Sequence, residues 1–293
     1  MIVAAVLFST GGAAIKATTL TSWQTAGFRS VIAACMLLLL VKDARRGWTW
    51  KVFPVGLAYG LTLMLFVHAN KLTTAANAIF LQATAPAYLL ILGPLVLKEP
   101  IRRSDLFYTA GLAAGLILFF LGVEPPRTTA LNPPLGNVYA ALSGLTWALT
   151  LIGLRWNPTL ANVAAGNIVT ALLCVPIALP VALWTHADIA LVLYMGCFQV
   201  GLGYVFLMRG IKQVPAFEAA LLNLVEPVCN PIWVWLFHSE RPGALSMLGA
   251  AVILGSTAGK VMLSRSEQPA ASITSPQSRP ETDRPAEHPP SKK

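Results

Sequence analysis

The stretch NLVEPVCNP, residues Asn223 to Pro231, sets a carboxylate, Glu226, in the middle of an apolar run of 21 residues from Phe217 to Phe237. A helix rises about 1.5 Å per residue and a bilayer core is about 30 Å thick, so such a run is long enough to cross it, with Glu226 near half depth. A charge there costs at least a few kcal/mol, so the carboxylate needs a use. Two uses fit: exchanging a proton that couples to solute movement, or anchoring a solute ammonium. The structural alternative is a protonated or paired carboxyl that braces two helices. Asn223, Glu226, Asn230 and Trp233 share one helical face, and a polar stripe on a membrane helix must look inward. Pro227 removes a backbone donor and frees the carbonyl of Asn223, which allows a local break with exposed backbone groups.

Other polar residues fall at similar depth in other apolar runs. Pro86 follows Gln82 as Pro227 follows Asn223. SGLTWALT brings Ser143, Thr146, Trp147 and Thr150 together, with Trp147 either an aromatic wall or packing bulk. Gln199 and Tyr204 lie near the centre of another run, and His68 with Asn70 ends a third at the outer side, where His68 could gate or titrate or simply be solvated. Asn167 reads as a hydrogen bond between helices. No basic residue is expected at the depth of Glu226. No H-E-x-x-H, G-x-S-x-G or phosphate-cradling glycine loop occurs, so no enzyme, cofactor, metal or direct use of ATP is expected.

These residues sit in a chain that is 56% hydrophobic and 11% charged, with a mean hydropathy of +0.65. A soluble core could not hide that much apolar surface. The apolar residues come in ten blocks, at about 1–17, 25–41, 53–70, 77–97, 106–123, 135–154, 162–184, 189–208, 217–237 and 245–262. This predicts an all-α, polytopic membrane protein of ten transmembrane helices. Residues 264–293 change character, with six prolines and few large apolar residues, and read as a disordered tail. The net charge of +9 could suggest nucleic acid, but the tail carries only +1 of it, and the other basic residues fall mostly in alternate loops, such as Lys42, Arg45, Arg46 and Lys51. That is positive-inside asymmetry: both termini cytoplasmic, the bilayer and anionic lipid as partners, and no nucleic acid. Cys35, Cys174, Cys197 and Cys229 form no CxxC pair and read as packing residues. Gly56 with Gly60 and Gly111 with Gly115 permit close helix approach, inside the chain or at a homodimer contact.

An offset of 141 carries Gly60 onto Gly201, Lys71 onto Lys212, Leu81 onto Leu222, Pro86 onto Pro227 and Glu99 onto Glu240. This predicts two repeats, 1–123 and 132–263. Five spans per half is an odd number, so the halves enter the membrane from opposite sides and the repeats are inverted, a recurring transporter design with its site near the midplane. The offset pairs Gln82 with Asn223 but Glu226 with Ala85, which leaves the carboxylate to one half alone. Glu99 and Glu240 read as structural charges at helix ends.

The ten spans, the FRS stretch at Phe28–Ser30, the Pro-containing fourth and ninth helices ending around Glu99 and Glu240, and the Gly-rich helix after each resemble the EamA-type permeases of the drug/metabolite transporter superfamily. The resemblance covers about residues 1–263. It implies a multi-pass permease of the cytoplasmic (inner) membrane that moves small organic solutes such as amino acids, often outward, through a cavity lined by both halves. The leading expectation is secondary-active export by alternating access, with protons or the solute gradient as driving force. An uncoupled facilitator or channel, or a drug or amine efflux permease, is the alternative. The expected cavity set is Gln82, Trp147, Gln199, Tyr204, Asn223, Glu226 and His68, with Pro86 and Pro227 as helix breaks.

Overall fold

A computed structural model describes residues 1–98, 103–121, 131–181, 184–229, 233 and 244–266. Glu99, Glu240, Asn230 and most of the expected tail lie outside them. All regular structure among the described residues is helical: α1 (Ile2–Ala17), α2 (Ser22–Leu40), α3 (Val52–Leu72), α4 (Ala75–Gln82), α5 (Ala85–Leu92), α6 (Arg103–Leu121), α7 (Pro133–Trp156), α8 (Leu160–Ala178), α9 (His186–Tyr194), α10 (Gly203–Ile211), α11 (Ala216–Asn223) and α12 (Ala244–Ser266). A π-wound turn, Gly93–Leu97, extends α5, and a π-wound stretch, Met195–Leu202, joins α9 to α10. Six stretches, 22–40, 52–72, 77–97, 133–156, 160–178 and 186–211, are long and apolar enough to cross a membrane, and Ile2–Ala17 and Leu106–Leu118 are shorter apolar helices. The expected ninth span is described only to residue 229 and at Trp233.

Local chemistry sets the ends of these helices. Thr21 and Gln24 form a reciprocal capping box at the start of α2, and Thr185 with Asp188 does the same for α9. Asn132 caps α7, whose first turn holds Pro133 and Pro134, where a missing N–H costs nothing.

Loop contacts sort the helix ends into two groups. At one end, Arg155 Nη1 donates to Lys212 O at 3.3 Å, Thr159 Oγ1 donates to Arg46 O at 3.3 Å, and Lys51 sits 4.8 Å over the Trp156 ring. At the other end, Lys16 Nζ donates to Thr73 O (2.8 Å) and Lys71 Nζ to Thr18 O (2.8 Å), so α1 and α3 strap each other reciprocally. There Asp188 clamps the loop after α1, accepting from Thr19 N at 2.8 Å and from Thr19 Oγ1 at 2.7 Å. Asn132 N donates to Leu72 O at the same end, whereas Met1 lies beside Gly210 at the basic end. Helices α1 and α7 therefore start from opposite ends.

The packing has a regular pattern. With the broken pairs α4–α5 and α9–α10 each taken as one rod, α3 lies on α7 as the α9–α10 rod lies on α1, and α3 lies on α8 as the α9–α10 rod lies on α2. Helix α4 lies on α7 as α11 lies on α1; α2 meets α8, and α6 meets α12. Small residues make the closest approaches. A Cβ at Gly56 would come within 2.8 Å of Ala165 Cβ, and one at Gly60 within 2.9 Å of Gly166 O, both on α8. Gly111 and Gly115 meet Ser256, Gly249 and Ile253 of α12. Both glycine faces are thus used within the chain, which removes the reason for reading them as a dimer contact. Asn167 Nδ2 donates to Val163 O of its own helix at 2.9 Å while its side chain lies beside Tyr59 of α3, and Thr170 Oγ1 also reaches α3, at Gly60 O (3.0 Å). A chain lacking water partners turns short polar side chains back onto its own carbonyls, which satisfies them at no cost in helix spacing.

Candidate functional site

Two helices break at corresponding places. Helix α4 ends at Gln82, and α5 resumes at Ala85 with Pro86 in its first turn; α11 ends at Asn223, Leu224 turns, and residues 225–229 resume the helix with Pro227. The breaks lie about one turn before each proline, where the ring blocks regular winding. They deliver the side chains of Gln82 and Asn223 into a common cavity.

The cavity has two connected lobes that share Gln82, Trp147, Asn223 and Glu226. One lobe runs along both breaks and includes Pro86 and Pro227. The other, larger lobe adds Gln199 and Tyr204, together with Phe8, Arg29, Thr62 and Phe66. Six of the seven residues singled out for the cavity from the sequence thus line it. His68 does not: it is buried, its Nδ1 lies 2.8 Å from Met64 O and its ring packs edge-on to Trp23 at 4.3 Å.

Polar groups in the wall are held but not saturated. Asn223 Nδ2 donates to Glu226 Oε2 at 3.3 Å, and the buried Asn223 Oδ1 has no partner among the described residues. Gln199 Oε1 is likewise unpartnered, and its amide end lies against Gly11, where a Cβ would come within 2.5 Å of Nε2. Gln199 sits in the π-wound stretch, whose wider winding re-aims side chains. Tyr204 packs at 4.5 Å from the Tyr59 ring and 4.9 Å from Phe8, with Trp147 edge-on at 6.3 Å. Ser143, Thr146 and Thr150 bond to carbonyls of their own helix, so of SGLTWALT it is Trp147 that faces the cavity. Trp233 Nε1 donates to Ser9 Oγ of α1 at 2.8 Å.

The expectation that no basic residue shares the depth of Glu226 is overturned by Arg29. Helix α2 begins at Ser22, earlier than the boundary read from hydropathy, so Arg29 lies two turns inside it, 1% exposed and on the cavity wall. Its signal was present in the sequence: an ionisable residue within an apolar window is a functional residue by default.

The sequence profile described as "EamA-like transporter family" matches residues 1–121 and 134–262. The pseudopaline exporter CntI of Pseudomonas aeruginosa (strain UCBPP-PA14) is 27% identical over 268 residues, covering 86% of this chain and 91% of that protein. The uncharacterized transporter YwfM of Bacillus subtilis (strain 168) is 26% identical over 269 residues, covering 87% and 90%. A solved crystal structure superposes with a TM-score of 0.70 at 20% identity, covering 91% of this chain and 96% of that one, which speaks for the fold alone. With apolar helices of membrane-crossing length, relatives that are transporters, and a family profile spanning nearly all of residues 1–262, the chain is a multi-pass membrane transporter rather than an enzyme, and it belongs to the EamA-like transporter family.

Proposed function

We propose that the chain is a secondary-active carrier that moves small metabolites, amino acids and related amphipathic solutes among them, outward across the cytoplasmic membrane by alternating access, with both termini cytoplasmic. The reading rests on the cavity, which draws Gln82 and Pro86 from one half and Trp147, Gln199, Tyr204, Asn223 and Glu226 from the other. A site at such a junction changes its exposure when one half rocks against the other. Two further observations support the inverted arrangement of 1–123 and 132–263: exchanging the halves carries each helix pairing given above onto another of them or onto itself, and α1 and α7 start from opposite ends. Outward movement is supported by the relative named as an exporter. In this reading Glu226 carries the coupling proton or binds a solute ammonium, and the unpartnered Gln199 and Asn223 oxygens accept from the solute.

Counterflow in proteoliposomes tests it against a panel of amino acids, amines and organic acids, with and without a pH gradient. Saturable uptake accelerated by unlabelled solute on the far side is expected. Flux that rises linearly with concentration and shows no acceleration from the far side would make the chain a facilitator instead.

A further inference from the structure

The wall opposite the broken helices carries a group that the carrier reading leaves without a task. Arg29 is 1% exposed and lines the larger lobe; among the described residues it makes one hydrogen bond, from Nη2 to Leu63 O at 3.2 Å, and its buried Nε has no partner. A guanidinium has five N–H donors fixed in a plane, so one backbone acceptor leaves most of them unused. A strut that only tied α2 to α3 would not need a permanent charge, which is costly to bury. Among the described residues no ion pair joins Arg29 to Glu226, although both line the same lobe. The two charges therefore face the cavity separately, with Phe8, Phe66, Trp147 and Tyr204 along the wall they share.

We infer that Arg29 is a carboxylate-binding residue of the carrier: its planar fork takes the two oxygens of a solute carboxylate, while the aromatic side chains take the solute's apolar part. Fork geometry matches a carboxylate bidentately. Charge balance favours this anion over a phosphate ester, because a dianion would exceed the single positive charge of Arg29 in a cavity that also holds Glu226. The solute class this selects has a free carboxylate on an organic body, with room for a cationic group at Glu226.

The inference rests on the carrier reading of the same cavity, and the test separates the two. Equilibrium binding to the purified, detergent-solubilised chain is measured for amino acids, each beside its methyl ester and its decarboxylated amine, with phosphoethanolamine as the phosphate arm. Acids should bind at least about tenfold more tightly than their esters and amines; Arg29→Gln should shrink the gap below about threefold and Arg29→Lys should restore part of it. The wild-type ligand series decides the matter even if Arg29→Gln does not fold. Esters or amines binding as well as acids, a gap that survives Arg29→Gln, preferred binding of phosphoethanolamine, or no acid binding at all would each overturn the inference. Arg29-dependent binding without counterflow would sink the carrier reading and leave the subsite; counterflow of acids and esters alike would do the reverse.

Discussion

Glu226, Gln82 and Asn223 stand together on the part of the cavity wall that both lobes share. If Glu226 carries the coupling proton, Glu226→Gln should abolish the response of uptake to an imposed pH gradient while the protein still elutes as a single folded species. Equal responses in wild type and variant would remove the carboxylate from coupling. Asn223→Ala and Gln82→Ala each delete an amide from the shared part of the cavity and should weaken solute binding about fivefold, the worth of roughly one hydrogen bond. Unchanged binding in both would make these amides packing groups. Arg29 stayed hidden for a physical reason: hydropathy averages across a helix start, so a buried cation two turns inside α2 looked like a residue near the interface.

At the scale of elements, the approximate places of the helices followed from the lengths of the apolar blocks. The breaks in α4–α5 and at Leu224 were foreshadowed by Pro86 and Pro227, though they fall about a turn earlier than the rings themselves. The π-wound stretch carrying Gln199 had no such marker, since no proline or glycine spacing distinguishes an i→i+5 winding from an ordinary helix. Close packing between α3 and α8 makes a sharp prediction. Gly60→Leu would drive a side chain into Gly166 O, which as backbone cannot give way, and should destabilise the protein by about 1–3 kcal/mol, read as a lower melting temperature in detergent. Gly93→Ala meets nothing within 4 Å and should change stability by less than about 0.5 kcal/mol. Equal melting of the two variants would mean that the α3–α8 seam yields.

At the scale of the whole molecule, two loop contacts among the described residues, one at each end, differ in strength. The offset of 141 carries Thr18 onto Thr159 and Asp188 onto Gly47. The first latch is a carboxylate accepting four hydrogen bonds, from the N and Oγ1 of both Thr19 and Thr185. Its counterpart is the single 3.3 Å bond from Thr159 to Arg46 O, beside Gly47, whose positive φ of 76° suits glycine. Charge-assisted bonds are worth roughly twice neutral ones. Asp188→Asn should therefore loosen only its own end, and a cysteine at Thr62 of the cavity wall should label several-fold faster with an impermeant maleimide added from that side. Unchanged labelling would mean that other contacts hold the end shut. Sequence patterns do not reach this imbalance, because it depends on which loop atoms meet. In the carrier reading this implies a division of labour in descent: substitutions in a few loop positions would reset which face the protein rests toward, while the chamber that selects its cargo stays untouched, so preference and polarity would drift apart.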